Sequence, residues 1–165
     1  MYPALKDFWD GQNEIKLMDP NLLACEEWKN IMNQLIASKS WVDITQGLDI
    51  RCMSDEKAYM LNQLKIKMLH FAWDNYEFKT YKKLKEFRPK FKVDERRLSV
   101  YVLTNFKTTL DQDLERIYKL KELGYTPYVM IYEKNTAPKI IKRLQRWVNN
   151  KYIFRSCSRF EDYKG

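Results

Sequence analysis

The stretch WVDITQGLDIRCM, residues 41–53, has the pattern of a strand that leads into a polar turn. Side chains alternate between the two faces of a strand, so Val42 and Ile44 share an apolar face while Asp43 and Thr45 share a polar one. Strands of an ordinary α/β sheet are apolar on both faces, because helices cover both. The polar face therefore predicts a cavity that admits water. The carboxyl end of the stretch carries the polar side chains Gln46, Asp49 and Arg51.

Four further segments have the same order of strand, polar turn and helix. Strands are predicted to begin near residues 15, 42, 66, 98 and 127, a spacing close to the ~30 residues of a βα repeat. Alternating strands and helices predict a parallel sheet with right-handed crossovers. We therefore expect an α/β protein, a partial (β/α) barrel of the TIM type with about five βα units. It forms a single domain over residues 1–165, with irregular segments at residues 1–13 and 155–165.

Local signals predict several element boundaries. Thr109 with Gln112 fits a capping box at a helix start, and Gly124 fits the position that follows the end of that helix. Gly47 is predicted to end the second strand. Residues 151–154 are predicted to form a last short strand or an extended tail.

Composition favours a folded chain without membrane segments. The chain has 165 residues, of which 45% are hydrophobic and 15% aromatic, whereas disordered chains are poor in aromatic residues. It has no apolar run long enough to span a bilayer and no signal-peptide pattern at its start, so the expected location is cytoplasmic. Cys25, Cys52 and Cys157 are far apart and form no metal-binding motif, which predicts reduced thiols and no metal site.

The net charge of +8 permits an anionic partner such as a nucleic acid. Basic residues concentrate at residues 79–92 and 139–146, with aromatic residues between them, as in proteins that bind nucleic acid. A run of charges is more often the solvated face of a helix. Nucleic-acid binding is therefore the weaker interpretation of these segments.

Each predicted strand ends in residues that can form hydrogen bonds. The carboxyl ends of parallel strands meet on one rim, so these residues predict a common site for a polar ligand. The simpler interpretation of each residue alone is a turn or a helix cap. By similar reasoning His70, the only histidine, is more often a hydrogen-bonded core residue than a catalytic base. The rim residues are Asp19, Asn21, Gln46, Asp49, Arg51, Asp74, Asn75, Thr104, Asn105, Tyr132 and Glu133.

Long segments of the chain resemble the C-terminal half of a bacterial radical S-adenosylmethionine (SAM) protein family. The resemblance covers nearly the whole chain from about Glu14 onward. The segments that carry it are IKLMDPNLLA, WVDITQGLDIRCMS, KIKMLHFAWDN, RRLSVYVLTNF, LDQDLERIYKLKELGYTPYVMIYEKNTAPKIIKRLQRWVNNKYIFRS and RFEDY.

The resemblance implies a full or partial (β/α) barrel in which a CxxxCxxC loop binds a 4Fe–4S iron–sulfur cluster. In such proteins the cluster cleaves SAM to a 5′-deoxyadenosyl radical. The resemblance also implies that Arg51 contacts the SAM carboxylate, and it identifies no catalytic residue. By the same likeness, the residues that bind SAM are Asp19, Asn21, Gln46, Asp49 and Arg51, and those that face the substrate are His70, Asp74 and Asn105.

The chain departs from that family because it has no CxxxCxxC motif and no glycine-rich motif of the kind that holds the SAM amino group. We therefore expect a partial radical SAM protein, truncated or split, that is inactive without an N-terminal half bearing the cluster. Its expected partners are that half or a second copy, paired through exposed sheet edges. Two alternatives stay open: a basic α/β module that binds nucleic acid, and an inert product of a truncated gene.

Overall fold

The structure is a computed structural model that describes residues 4–165 and contains one five-stranded sheet. The strands are β1 (Glu14–Leu17), β2 (Trp41–Leu48), β3 (Lys65–Trp73), β4 (Leu98–Thr104) and β5 (Thr126–Ile131). The helices are α1 (Trp28–Ser38), α2 (Asp55–Leu61), α3 (Phe78–Phe87), α4 (Leu110–Glu122), α5 (Lys139–Asn149) and α6 (Lys151–Ser156). Short 3-10 turns occur at Leu5–Asp7, Leu22–Ala24, Ile50–Cys52, Arg88–Lys90, Glu95–Arg97 and Phe160–Asp162.

The sheet order is β1-β2-β3-β4-β5, and every neighbouring pair is parallel. The predicted α/β class with five parallel strands is confirmed. Because successive strands lie side by side and crossovers of this kind are right-handed, all the connecting helices lie on one face of the sheet. A doubly wound sheet would reverse its strand order and place helices on both faces. The sheet therefore has a helix-covered face, a helix-free face and two edge strands, β1 and β5.

The hydrophobic core lies between the helices and the helix-covered face. Alternate residues of the strands are almost completely buried there, as the two-residue period of a strand requires. A second cluster surrounds Trp147 of α5 next to β5. The strand residues on the covered face are Ile15, Val42, Ile44, Ile66, Leu69, Phe71, Trp73, Leu98, Val100, Val102 and Val129.

The helix-free face carries the other half of each strand. Asp43 and Thr45 project from it and are half-buried, so the predicted polar face of β2 lies on the side without helices. Tyr128 and Met130 of β5 are 46% and 47% exposed on the same face. The face is thus polar near β2 and apolar near β5.

Two of the boundary predictions are confirmed. The hydroxyl of Thr109 accepts a hydrogen bond from the Gln112 amide, and the Gln112 side chain accepts one from the Thr109 amide, which completes the capping box. Gly124 has φ +76° directly after the end of α4, a conformation that suits glycine.

Other boundary predictions are wrong. Residues 151–154 belong to α6, because the Asn150 side chain accepts hydrogen bonds from the amides of Tyr152 and Ile153 and caps the helix. The tail after residue 155 is not wholly irregular, since its 3-10 turn brings Phe160 into the cluster around Trp147. The second strand continues through Gly47 to Leu48. None of the helices in residues 4–165 combines the length and the apolar character that a bilayer crossing needs.

Candidate functional site

A cleft of about 160 Å³ lies at the carboxyl ends of β1, β2 and β3. It brings together four of the eight side chains predicted for SAM or substrate, namely Asn21, Asp49, Arg51 and Asp74. The remaining lining residues are Pro20, Gly47, Ala72, Asn75, Glu77 and Thr80.

Hydrogen bonds connect the turns that follow β1 and β2. The amide of Asp49 donates to the side-chain oxygen of Asn21 at 3.3 Å, and the amide of Asn21 donates to a carboxylate oxygen of Asp19 at 2.9 Å. Asp49 also caps its own 3-10 turn by accepting from the Arg51 amide at 2.9 Å. Asp19 itself lines a different groove, so its role here is to support the turn that carries Asn21.

Arg51 forms ion pairs with two carboxylates at the mouth of the cleft. Its Nε and Nη2 donate to Asp49 at 2.9 Å each, and its Nη1 donates to Glu77 at 3.0 Å. Thr80 of α3 donates its hydroxyl proton to the same Glu77 oxygen at 2.9 Å. The hydrogen bond from Arg51 lowers the pKa of Asp49, and the one to Asp49 raises the pKa of Arg51. A ligand carboxylate would have to share the Arg51 guanidinium with these two partners.

Asp74 is the carboxylate of the cleft that has no partner within residues 4–165. Desolvation by the cleft wall raises its pKa, although Arg116 and Arg51 act in the opposite direction. The cleft lining contains three carboxylates, those of Asp49, Asp74 and Glu77, and one guanidinium, that of Arg51, so its formal charge is −2. The cleft of this basic protein therefore favours a cationic or proton-donating ligand group.

Arg116 of α4 holds the strand ends from below and is completely buried. It donates to the carbonyl oxygens of Trp73 at 2.5 Å, Asp74 at 3.3 Å and Leu103 at 2.7 Å, and to the carboxylate of Asp113 at 2.6 Å. Trp73 is the last residue of β3, Asp74 follows it, and Leu103 belongs to β4. Arg116 therefore joins the ends of the two strands and fixes the segment from which Asp74 projects. Burial lowers the pKa of Arg116, and its pairing with Asp113 opposes that change.

Arg116 is not among the site residues predicted from the sequence, yet the sequence contains a signal for its burial. Asp113 lies four residues before Ile117, and Arg116 lies four residues before Leu120. Residues four apart share a helix face, so the period that predicts the apolar face of α4 also places this charged pair on it.

His70 lies on the helix-free face, away from the cleft. Its Nδ1 is 2.7 Å from the carbonyl oxygen of Ile44, so Nδ1 carries the proton and donates it. Its ring stacks on Tyr101 with centroids 4.9 Å apart, and the Tyr101 hydroxyl donates to the Thr45 carbonyl at 2.8 Å. The register of β2 against β3 shifts between Ile44 and Leu48, and these side chains bond to carbonyls in that irregular segment. His70 is therefore hydrogen-bonded, as the simpler interpretation predicts, but it lies half-buried on the helix-free face and not in the core, and its substrate-facing role stays a prediction.

The two other predicted residues also lie outside the cleft. Gln46 is exposed on β2. Asn105 has φ +61° and donates its amide to the Tyr132 carbonyl at 2.9 Å, which links the ends of β4 and β5. Its substrate-facing role stays a prediction.

The resemblance to radical SAM proteins rests on the sequence segments alone. No protein-family model, curated protein or solved structure matches the chain. Within residues 4–165, no three His, Cys, Asp or Glu side chains are placed to hold a metal ion. The free thiols of Cys25, Cys52 and Cys157 lie on separate segments. The residues of this chain therefore do not fit a 4Fe–4S cluster, which needs several thiolates around one centre.

Some of the basic residues predicted to bind anions in the segment 79–92 have structural contacts and others do not. Arg88 donates to the Gly124 carbonyl, and Lys90 pairs with Asp55, so both have structural contacts. Lys79, Lys82 and Lys85 of α3 are exposed and form no ion pair with any of residues 4–165. A solvated helix face accounts for these lysines.

Proposed function

We propose that the chain forms a SAM-binding part of a (β/α) barrel of the radical SAM type. The observation that carries this proposal is the meeting of Asn21, Asp49, Arg51 and Asp74 in one cleft at the carboxyl ends of three consecutive parallel strands. Ligands of parallel α/β sheets bind at these ends, because the loops that follow the strands converge there.

The charge of the cleft supports a ligand of this chemistry. SAM carries a sulfonium and an ammonium group, and its ribose hydroxyls can donate hydrogen bonds. Asp74 has a free carboxylate for such groups, whereas Asp49 and Glu77 are paired with Arg51. Binding of a cation beside Asp74 would offset the desolvation of its carboxylate.

The size of the cleft supports a partial site. Its volume of about 160 Å³ is below the roughly 300–1,000 Å³ of complete small-molecule sites. The cleft can hold only part of SAM, so further walls must cover the remainder. The residues of this chain would bind and orient SAM, and any cluster would have to be held by another polypeptide segment.

Isothermal titration calorimetry with SAM and with S-adenosylhomocysteine tests this proposal. S-adenosylhomocysteine has the same shape but a neutral thioether, so it isolates the sulfonium charge. We expect SAM to bind more tightly by up to about fivefold, the size of a solvent-exposed charge pair of up to ~1 kcal/mol. Because the pKa of Asp74 is raised, SAM affinity should rise with pH while Asp74 loses its proton.

The variant Asp74→Asn should remove both the preference for SAM and its pH dependence. Glu122→Gln, which changes an exposed carboxylate at the end of α4, is the matched control and should leave binding unchanged. Equal affinity for the two ligands, or unchanged SAM binding in Asp74→Asn, would refute the proposal, as would the absence of SAM binding at millimolar concentration.

A further inference from the structure

The two edges of the sheet differ in how their backbone groups are satisfied. At the β5 edge, the Val129 amide donates to the side-chain oxygen of Asn149 at 2.8 Å. The Val129 carbonyl accepts from Asn149 and from Gln145, at 3.0 Å each. Both side chains come from α5, and they take the positions that a neighbouring strand would occupy.

Pro127 closes the β5 edge further. Residues two apart on a strand direct their backbone groups to the same side, so Pro127 faces outward like Val129. Proline has no amide proton to offer an added strand. The Asn149 and Gln145 side chains, called the amide clamp below, and Pro127 together prevent strand addition at β5. Of the two edges that were expected to be available for pairing, only β1 therefore remains available.

The β1 edge has no comparable protection. The Asn13 carbonyl accepts from the Trp41 amide, and the Leu17 carbonyl accepts from the Thr45 hydroxyl, so the odd-numbered residues face β2. The backbone groups of Glu14 and Lys16 therefore point outward. Within residues 4–165, no strand and no side chain pairs with them. This is the available edge of the sheet.

We propose that a second copy of the chain pairs with β1 in antiparallel orientation, centred on Ile15. In that register Glu14 lies opposite Lys16 of the other copy, and the two residues exchange a pair of backbone hydrogen bonds. The same exchange occurs on the other side of the symmetry axis. The opposite charges of Glu14 and Lys16 make this short strand complementary to itself, although Glu14 also accepts from Lys67 at 2.6 Å, so Lys16 of the other copy would share that carboxylate. Such a contact is isologous and stops at a dimer.

The amide clamp explains why the assembly would stop there. Pairing of β1 with β5 of another copy would be head-to-tail, and it would continue into a filament unless the rotation closed a ring. With β5 closed, only the symmetric β1 contact remains. A strand of four residues is short, so the interface is small and the dimer should be weak. Phe8 and Met18, 64% and 70% exposed beside β1, can add apolar contact area.

Sedimentation velocity from about 1 µM to about 500 µM tests this proposal, since weak interfaces dissociate in the micromolar range. We expect a reversible monomer–dimer equilibrium for the wild-type chain. Lys16→Pro removes the outward amide and should abolish dimerisation, while the bonds of Ile15 to β2 remain. Lys16→Ala keeps that amide and is the matched control, which should still dimerise.

Charge reversal provides an independent comparison. Lys16→Glu places like charges opposite each other at two symmetric positions and should weaken the dimer by about tenfold or more. Adding Glu14→Lys together with Lys67→Glu to that variant restores opposite charges across the interface, keeps the pair between positions 14 and 67, and should restore dimerisation. A monomer at all concentrations, a species larger than a dimer, or unchanged dimerisation in Lys16→Pro or Lys16→Glu would overturn the proposal.

Discussion

Replacement of Arg116 by methionine should destabilise the fold more than any exposed substitution. Methionine has a similar length and fills the space, but it removes all four hydrogen bonds that Arg116 donates. The change leaves the fully buried carboxylate of Asp113 without its positive partner. It also removes the side-chain donor from the carbonyls of Trp73 and Leu103.

The magnitude follows from these losses. Breaking a buried ion pair by removing one partner costs about 3–5 kcal/mol, and an unsatisfied buried carbonyl costs roughly 1–3 kcal/mol more. Water at the rim can reach Asp74 and offsets part of this cost. We therefore expect Arg116→Met to lower the free energy of unfolding by about 4–6 kcal/mol, a large fraction of the ~5–15 kcal/mol of a typical domain.

The double variant Arg116→Met with Asp113→Leu separates two costs: that of the unpaired, buried Asp113 carboxylate and that of the lost hydrogen bonds to the carbonyls. Even in the wild-type chain, Asp113 Oδ2 and Arg116 Nε have no hydrogen-bond partner among residues 4–165, so the pair is not fully satisfied. An apolar pair at these positions should therefore be more stable than Arg116→Met alone by about 1–3 kcal/mol. If Arg116→Met does not fold, Arg116→Lys retains the charge and gives a measurable, smaller loss.

Urea unfolding followed by circular dichroism measures these differences, provided that the dependence on urea concentration is the same for all variants. Arg146→Met changes an exposed arginine of α5 and should alter stability by no more than about 0.5 kcal/mol. A cost below about 1.5 kcal/mol for Arg116→Met would contradict the expected role of the buried pair. So would a double variant that is no more stable than Arg116→Met.

Two further predictions concern β2 and the turn after it. A Cβ added at Gly47 would lie 2.8 Å from the Cβ of Ala72, so Gly47→Ala should lower the free energy of unfolding in urea by about 1–3 kcal/mol. Adding Ala72→Gly to that variant should recover part of this loss. Equal stability of Gly47→Ala and wild type would contradict the contact. The pKa of Asp49 is lowered, so its contribution to stability is present above the ordinary value of 3.8 and is lost as the pH falls through the lower folded value. Unfolding measured from about pH 6 to about pH 2.5 should therefore show a smaller acid-induced loss in Asp49→Asn than in wild type, and identical losses would exclude the Asp49–Arg51 pair as their source.

The fold could be predicted because its signals are local. Alternation in β2 and the regular succession of strands and helices require only neighbouring residues, and they lead to five parallel strands. The capping box at Thr109 and the turn at Gly124 are also local. The prediction for residues 151–154 is wrong because a four-residue pattern is too short to distinguish the alternation of a strand from one turn of a helix. The Asn150 side chain, which caps α6, fixes the helical conformation.

The site could be predicted only in part, because several of its contacts join distant segments. The rule that parallel strands end on one rim correctly grouped four residues, but it could not reveal that Glu77, 26 positions from Arg51, holds that guanidinium. It also could not separate Asp19, which supports a turn, from Asn21, which lines the cleft. Arg116 was missed because charged helix residues are expected in solvent, although the phase of α4 places it in the interior.

The distribution of hydrogen bonds favours Asp74, rather than Arg51, as the residue on which ligand recognition depends. Three of the five N–H groups of Arg51 already bond to Asp49 and Glu77, so a ligand carboxylate there would share the guanidinium with two carboxylates. Asp74 is exposed at the rim but partly desolvated by the cleft, its carboxylate has no partner within residues 4–165, and Arg116 holds its backbone in place through the Asp74 and Trp73 carbonyls. A cation that approaches Asp74 therefore gains an interaction without displacing one. For this reason a charged ligand should distinguish Asp74→Asn from wild type more sharply than it distinguishes any substitution at Arg51.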